Sequence, residues 1–404
     1  MEGTLLVGGG NFSRRSEIRS GGGAQAHMIS FQPRRLATVG LLSASTLLGC
    51  SQGVPTGNAD SAVDIPSEPT TCDLNPSYLS IGAAKDGIRA LSNPDWVTAD
   101  HPTDLWFLPD SARVVGFVVD GQAYAVSVNM LRYHEIGNAT FETANGTLDL
   151  AITHCPLTAT SMVFDRAPAG GAEFGVSGLL YQSNLIMYDR NTEESLWPQM
   201  MAQARCGPAQ GTTLPLFPSI EMRWDGWTSL YPSTLAWSSP PEDGGGYDIN
   251  PYSGYERPNS DFTFAMPPIN PSLPPKELVL GVGGGRVWAF SFSSLEEFAP
   301  MAAIQGSFGI TQSVILWDRS RQAASAYSPE VGGDRLTFRA GSDDIFDVET
   351  GTRWTVDGLA VEGPLAGTRL DRRGQSYVGY WGAWQAFFPL GRIWGQRILE
   401  VAAP

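Results

Sequence analysis

Cysteine and histidine are scarce in this chain, which has only four of each among its 404 residues. No two of them stand in the C-x-x-C or H-x-x-x-H spacing typical of zinc proteins, so the sequence excludes a fixed-spacing metal signature. Long apolar runs are also missing: the run from Leu36 to Leu48 is too short to cross a bilayer as a helix. Function must therefore be inferred from a few reactive residues and from repeated motifs.

Basic residues are outnumbered, with 26 Lys and Arg against 41 Asp and Glu and a formal net charge of −15. Removing residues 1–49 as a cleaved leader takes away five arginines and two glutamates, and the charge of the remainder falls to −18. A surface this acidic repels nucleic acid and anionic lipid headgroups. The sequence therefore predicts no nucleic-acid partner, and contact with a membrane only through a covalent lipid.

The N-terminal segment has the pattern of an export signal. A basic Arg34-Arg35 pair precedes a short apolar run that ends in Leu-Leu-Gly-Cys at Cys50. This order is typical of a bacterial lipoprotein signal, in which the peptidase cuts before the cysteine and its sulfur carries the lipid. We therefore predict an upstream extension at 1–27, a signal peptide at 28–49 and a disordered tether at 50–71. The predicted location is the cell envelope, at the outer membrane; an ordinary cleaved signal and a buried helix are the alternatives.

The remaining cysteines predict one disulfide. With Cys50 lipidated, Cys72, Cys155 and Cys206 lie in a compartment where disulfides persist. Because three is odd, at most one bond forms within the chain and one thiol stays free. Cys72 lies at the edge of the expected ordered region and Cys206 next to a Gly-Pro pair, so we favour a Cys72–Cys206 bond.

The pattern of the folded part is mainly β, that of a β-rich α+β fold with a few short helices. Two apolar runs flank Asp120-Gly121, a dipeptide that favours a type I′ hairpin turn, and Asn145-Gly146 marks a second tight turn. The hydrophobic pattern predicts strands at 147–153, 160–165, 172–178 and 184–190. Short helices are expected at 129–136 and within 224–232.

An internal duplication organises the chain into two pseudo-symmetric repeats. The predicted boundaries are a first repeat at 72–238, a connection rich in Pro, Gly and Tyr at 239–276, and a second repeat at 277–404. The matches keep the same order in both copies and include Gly116 with Gly281, Trp197 with Trp354, Leu214 with Leu370, Trp224 with Trp381, and Trp227 with Trp384. We interpret the shared Gly and Trp residues as structural, serving turn geometry and aromatic packing.

The two copies differ in their reactive residues. No cysteine follows Cys206 and no histidine follows His154, so the second repeat contains neither type. A duplicated frame in which one half keeps the reactive groups indicates a site in the first half.

Cys155 is the candidate nucleophile of that site because it opens a Cys-Pro-Leu-Thr turn after an apolar strand. An imidazole from His134 or His154 would lower the pKa of the thiol and favour the reactive thiolate. Glu135 or Asp165 would orient the imidazole, and Arg166 would hold an anion or oxyanion. We therefore predict a thiol-dependent, redox-type activity whose catalytic groups are Cys155, His134, His154, Glu135 and Arg166.

Three other interpretations stay open. His134, His154 and Cys155 are ligand types suited to copper or zinc. The protein could instead be a non-enzymatic lipoprotein that binds a small molecule or a protein in a pocket between the copies. Cys155 could also be a buried core residue beside hydrogen-bonded histidines. The sequence identifies no substrate and requires no cofactor.

Several long motifs carry a resemblance to a known family. They are HE at 134–135, CPL at 155–157, VFDR at 163–166, FGVSGLLY at 174–181, NPYSGY at 250–255, LPPKELVLGV at 273–282 and GPLAGTRL at 363–370. On these residues the chain resembles the bacterial and archaeal family called domain of unknown function 3179, from Asp86 to about Trp394. Members usually have CPLC at the second motif, and some are described as selenoproteins, which implies redox chemistry there. Thr158 stands at the second cysteine position here, so a mechanism that needs two vicinal sulfurs is not expected.

Overall fold

The computed structural model describes residues 72–93, 95–101, 103–191, 193–239, 246–284, 287–309 and 311–395. The predicted extension at 1–27, the signal peptide at 28–49 and the tether at 50–71, with Cys50, lie outside the described residues. The described part is mainly β with four short α-helices, which confirms the predicted fold class.

The first repeat is built from hairpins and two helices of seven residues. Its strands are β1 (Leu79–Ile81), β2 (Leu91–Ser92), β3 (Trp96–Thr98), β4 (Arg113–Val119), β5 (Gln122–Ser127), β6 (Ile136–Thr143), β7 (Gly146–Cys155), β8 (Thr160–Asp165), β9 (Phe174–Tyr181), β10 (Asn184–Asp189), β11 (Leu196–Pro198), β12 (Ser219–Arg223) and β13 (Leu235–Trp237). Its helices are α1 (Val128–His134) and α2 (Trp224–Leu230), and 3₁₀ turns lie at Pro76–Tyr78, Ala167–Ala169 and Gln199–Met201.

The second repeat has the same kinds of element. Its strands are β14 (Leu278–Val282), β15 (Trp288–Ser291), β16 (Met301–Phe308), β17 (Thr311–Asp318), β18 (Ala323–Tyr327), β19 (Glu330–Val331), β20 (Asp334–Arg335), β21 (Phe338–Ala340), β22 (Ile345–Asp347), β23 (Arg353–Trp354), β24 (Ala360–Glu362), β25 (Ser376–Tyr380) and β26 (Arg392–Ile393). Its helices are α3 (Phe292–Phe298) and α4 (Trp381–Phe387).

Three sheets of the first repeat share a strand order with sheets of the second. The order β12-β4-β5-β13 in the first copy matches β25-β14-β15-β26 in the second, and in each the last pair, β5 with β13 or β15 with β26, is parallel. The order β6-β7-β8 likewise matches β16-β17-β18, and β9-β10-β11 matches β21-β22-β23, whereas β1 and β24 extend opposite edges of their sheets. The shared strand orders occur in the sequence order that the internal duplication predicts.

Glycine is required at the same place in both copies because a tryptophan ring covers it. A Cβ atom built on Gly116 would lie 2.5 Å from the Trp227 ring, and one on Gly281 would lie 2.3 Å from the Trp384 ring. No larger residue fits without displacing these rings, which lie in the core. This contact explains why Gly116 matches Gly281, and Trp227 matches Trp384, in the two repeats of the sequence.

A buried carboxylate and an indole form a second repeated contact. Trp197 Nε1 donates to Asp189 Oδ2 at 2.7 Å, and Trp354 Nε1 donates to Asp347 Oδ2 at 3.0 Å. Each pair joins two neighbouring strands of its sheet, β10 with β11 or β22 with β23.

Backbone hydrogen bonds and shared hydrophobic clusters join the two repeats. Tyr380 N, at the end of β25, donates to Thr158 O of the first repeat at 2.8 Å, and Arg223 N, at the end of β12, donates to Arg321 O of the second at 3.0 Å. Each of the two largest hydrophobic clusters contains residues from both copies. A third cluster, which includes Phe290, Trp317 and Val378, belongs to the second repeat alone.

Local predictions differ from the structure mainly near Glu135. The Asp120-Gly121 turn has φ values of 46° and 81°, as a type I′ turn requires, and the four predicted strands are found as β7 to β10, β8 at its predicted bounds and the others with shifted ends. The helix predicted to end at Ile136 ends at His134, because Glu135 leaves the helical region with φ 58° and ψ −36°. Strand β6 begins directly after Glu135. It was not predicted, because its sequence includes Gly, Asn and Thr residues.

Candidate active site around Glu135

Cys155 ends β7 and is fully buried. Its side chain has no exposed surface, and Sγ lies 3.8 Å from the carbonyl oxygen of Ser183 as a weak donor. Burial, and then the nearby Glu135 carboxyl, raise the pKa of the thiol to about 11. The expectation that this pKa is lowered is therefore wrong in direction, because desolvation disfavours the thiolate and no imidazole offsets it.

The turn after Cys155 is fixed by a buried polar network instead of a second sulfur. Thr158 is fully buried, and its hydroxyl lies 2.8 Å from the Thr160 hydroxyl and accepts from Asn184 Nδ2 at 3.0 Å. Gln199 completes the network, accepting from Thr160 Oγ1 at 2.6 Å and from Asn184 Nδ2 at 2.8 Å. These contacts give Thr158 a structural role.

His154 does not reach the thiol, because successive residues of β7 point to opposite faces of the sheet. Its Nδ1 donates to Ser161 Oγ at 2.9 Å, and that hydroxyl donates in turn to Glu221 Oε2 at 2.7 Å. Nε2 is buried and has no hydrogen-bond partner among the described residues. Burial lowers the pKa of this imidazole to about 3, so it is neutral.

His134 also contacts groups other than Cys155. Its Nδ1 donates to the carbonyl oxygen of Arg89 at 2.8 Å, and its Nε2 accepts from the Tyr247 hydroxyl at 2.5 Å. Neutral imidazole satisfies both contacts with the proton on Nδ1. Through Tyr247, His134 thus binds the connection between the repeats to the end of α1.

Arg166 is buried and its guanidinium binds the frame of the first repeat. It donates to Gly171 O at 2.8 Å and forms an ion pair with Asp149 at 3.3 Å. It also lies 3.3 Å from Thr140 Oγ1. The structure therefore does not bring Arg166 to Cys155 as an anion-holding group.

The geometry does not support the copper or zinc interpretation. Among the described residues there is no group of three or more His, Cys, Asp or Glu side chains that could hold a metal ion. His134, His154 and Cys155 each point to different partners, as described above.

Glu135 is the residue of the predicted set that lines a cavity. Its φ of 58° with ψ −36° is rarely adopted by a residue with a side chain, and such strain is concentrated at functional sites. The side chain is buried, and its carboxyl makes no hydrogen bond with any described residue. Burial raises its pKa from 4.5 to about 7. From its position in the sequence, Glu135 was expected only to orient an imidazole.

The cavity beside Glu135 has a volume of about 250 Å³ and mostly apolar walls. Its other lining residues are Gly82, Ala83, Ile88, Leu157, Val176, Gly178, Leu179, Leu180, Tyr252 and Phe264. Burial, and then the Glu135 and Cys155 charges, raise the pKa of Tyr252 to about 12. A single ionisable carboxyl in an apolar cavity is an arrangement that binds a polar group of a ligand.

Two of the lining residues, Tyr252 and Phe264, lie in the connection between the repeats. Hydrogen bonds from Lys276 stabilise this connection. Lys276 is buried, and its ammonium donates to Tyr255 O at 2.6 Å, Ser260 Oγ at 2.9 Å and Asp261 O at 2.9 Å. The Tyr255 hydroxyl then donates to Leu157 O at 2.9 Å, beside the Cys155 turn. Burial lowers the pKa of Lys276 to about 8. The sequence did not reveal that Lys276 binds the segment around Tyr255, although Tyr255 ends the NPYSGY motif and Lys276 ends the LPPK motif.

The second repeat has no counterpart of this site. Asp318 ends β17 where Cys155 ends β7, and its carboxylate accepts from Ser320 Oγ at 2.6 Å and pairs with Arg321. Helix α3 is followed by Ala299 with an extended φ of −164°, where α1 is followed by the strained Glu135. The residues predicted as reactive thus lie in the same half of the chain as Glu135.

The structure joins Cys72 to Cys206, the pairing favoured from the sequence, and leaves Cys155 as a free thiol. Within the described residues, no helix is long and apolar enough to cross a membrane.

Comparison with known proteins identifies the family and little more. The model of the family described as protein of unknown function DUF3179 matches residues 85–391, so the chain belongs to that family. No curated protein and no solved structure matches the chain.

Proposed function

We propose that this member of the DUF3179 family is an exported lipoprotein that binds a small ligand in the cavity beside Glu135. The observation that carries the proposal is a residue with a strained backbone whose carboxyl accepts no hydrogen bond from a described residue and which lines an apolar cavity. A carboxyl that lines a cavity without a protein donor is available to accept a hydrogen bond from a ligand. The burial and raised pKa of Cys155 argue against a thiol-dependent reaction.

The chemistry of the cavity favours a ligand with an apolar body and one cationic, hydrogen-bond-donating group. The walls offer mostly hydrocarbon, and Glu135 offers an acceptor that is negatively charged above pH 7. An apolar cavity of about 150 Å³ is enough to hold a benzene ring in other proteins. The volume here, about 250 Å³, therefore admits a ring with a short side chain.

Calorimetric titration with benzylamine at pH 8 tests this function. Saturable binding is expected for the wild type, with benzyl alcohol binding more weakly because it lacks the charge. Glu135→Gln should weaken benzylamine binding by about tenfold or more, the contribution of one charge-assisted hydrogen bond. Ala83→Leu should block the cavity, whereas Ala84→Leu, at the exposed neighbouring position, should have no effect. Equal binding to all four proteins, or none to the wild type, would contradict the proposal.

The lipid anchor is supported by the sequence around Cys50. Cys50→Ser should leave the precursor uncleaved by the lipoprotein peptidase and without acyl chains, as read by metabolic labelling with a fatty acid. Ser51 in place of Asp after the cysteine favours the outer membrane, which fractionation of a Gram-negative host checks. Normal acylation of the serine variant would refute the anchor.

A further inference from the structure

A second cavity lies between the two repeats, away from Glu135. Its volume is about 420 Å³. One wall comes from β4, β12 and α2 of the first repeat and includes Ile220 and Trp227. The opposite wall comes from the second repeat and includes Tyr327, Arg369 and Arg372. The predicted catalytic residues take no part in it.

The duplication explains why this cavity exists. Ile220 pairs with Gly116 across β12 and β4, and Tyr377 pairs with Gly281 at the equivalent position of β25 and β14. The Tyr377 ring packs against Trp384 with centroids 5.2 Å apart, and its hydroxyl donates to Met200 O at 3.3 Å. Ile220 has no ring to fill the corresponding place beside Trp227. The cavity thus includes the space that Tyr377 fills in the pseudo-symmetric half, and at about 420 Å³ it is larger than a single aromatic ring.

The same comparison shows that polar groups replace apolar ones in the cavity. An isolated bridge joins Phe164 to Leu216 in the first repeat, and the equivalent bridge in the second joins Tyr327 to Arg372. Apolar residues of the packed half are therefore replaced by a phenol and a guanidinium. A change of this kind in a partly buried place is unfavourable unless the charge gains a partner.

Arg372 is the cationic group without a counter-ion. Its guanidinium donates to the carbonyl oxygen of Ser376 at 3.1 Å and forms no ion pair with a carboxylate of the described residues. Arg369, by contrast, is paired with Asp357 at 3.1 Å and also donates to Tyr231. Arg369 is thus ion-paired, whereas Arg372 forms no ion pair with a described residue, although the exposed Asp120 and Asp371 also line the cavity.

We propose that this cavity is a binding site for a small aromatic carboxylate, with its ring beside Trp227 and its carboxylate on Arg372. The ring takes the place that Tyr377 fills in the other half, and the carboxylate supplies the missing counter-ion in the two-pronged geometry that guanidinium favours. Asp120 and Asp371, which are exposed and also line the cavity, disfavour ligands of higher negative charge.

Calorimetric titration with benzoate at low salt tests the proposal, with benzamide as the uncharged probe of the same shape. Saturable binding of benzoate, and weaker binding of benzamide, are expected for the wild type. Arg372→Leu, which copies Leu216 of the packed half, should weaken benzoate binding by about tenfold or more. Ile220→Tyr, which copies Tyr377, should fill the cavity and abolish binding. Arg335→Leu, which removes an exposed cation elsewhere, should bind like the wild type.

The outcomes separate the alternatives. If Arg372→Leu fails to fold, Ile220→Tyr alone decides, because it keeps every charge. Absence of benzoate binding to the wild type, or equal binding to the wild type and Ile220→Tyr, overturns the proposal. Inorganic phosphate binding that survives Ile220→Tyr also overturns it, since it would show attraction to Arg372 without a shaped site. Glu135→Gln should bind benzoate normally, so this site can fail or succeed independently of the Glu135 cavity.

Discussion

Replacing Glu135 by Gln should stabilise the protein, and more so as the pH rises. The pKa of the folded-state carboxyl is about 7, whereas its ordinary value is 4.5. The folded state therefore holds a proton that the unfolded state has lost between these two values, and wild-type stability falls as the pH rises through this window. At about 1.4 kcal/mol per pH unit the full loss is about 3 kcal/mol.

The magnitude can be read from urea unfolding of the two proteins at two pH values. The free energy of unfolding of Glu135→Gln, which is uncharged and of the same shape, should exceed that of the wild type by about 3 kcal/mol at pH 8.5 and by only about 1 kcal/mol at pH 5.5. Glu142→Gln, at an exposed position of the neighbouring strand β6, serves as the control and should lack this pH-dependent gain. A Glu135→Gln variant that is less stable than the wild type at pH 8.5 would refute the reasoning, because it would show that the carboxylate has a favourable partner in the folded protein.

Three further predictions concern the surroundings of this site. Cys155 should not react with iodoacetamide in the native protein at pH 8 and should react fully after unfolding in guanidinium, because it is fully buried with a pKa of about 11; stoichiometric labelling of the native protein, detected by mass spectrometry, would contradict this. The double replacement Cys72→Ser with Cys206→Ser should lower the free energy of unfolding by roughly 3–5 kcal/mol, since the bond closes a loop of 134 residues; an unchanged denaturation midpoint would show that the loop is already restrained. Lys276→Met should lower it by about 2–3 kcal/mol and increase hydrogen exchange between 250 and 262, because buried carbonyls lose their donor; exchange that stays unchanged there would contradict the anchoring role.

Local sequence patterns predicted much of the frame. The Asp120-Gly121 hairpin and strands β7 to β10 follow from turn chemistry and periodicity, which act over a few residues. The internal duplication could also be predicted from the sequence, because the repeated Gly–Trp contacts require the same residue types in both copies. Strand β6 was missed because the pattern IGNATFET lacks the usual strand composition.

The contacts of the predicted site residues differ from those that the sequence suggested. Cys155 and His154 are adjacent in sequence, yet strand alternation places them on opposite faces, a consequence that nearness in the chain concealed. His134 meets Tyr247, 113 residues away, and the cavity walls include Tyr252 from the same connection. Such long-range contacts leave no local pattern, so the segment was interpreted only as a linker. The strain at Glu135 is equally invisible, because nothing in the sequence indicates a positive φ there.

The most direct test of the account is a carbon-13 NMR titration of the Glu135 side-chain carboxyl, assigned by its loss in Glu135→Gln. We expect a midpoint near pH 7 in the free protein and a lower midpoint with saturating benzylamine, because a bound cation stabilises the carboxylate. A midpoint near the ordinary value of 4.5, or one that benzylamine does not move, would contradict the claim that this carboxyl is the ligand-binding group of the cavity.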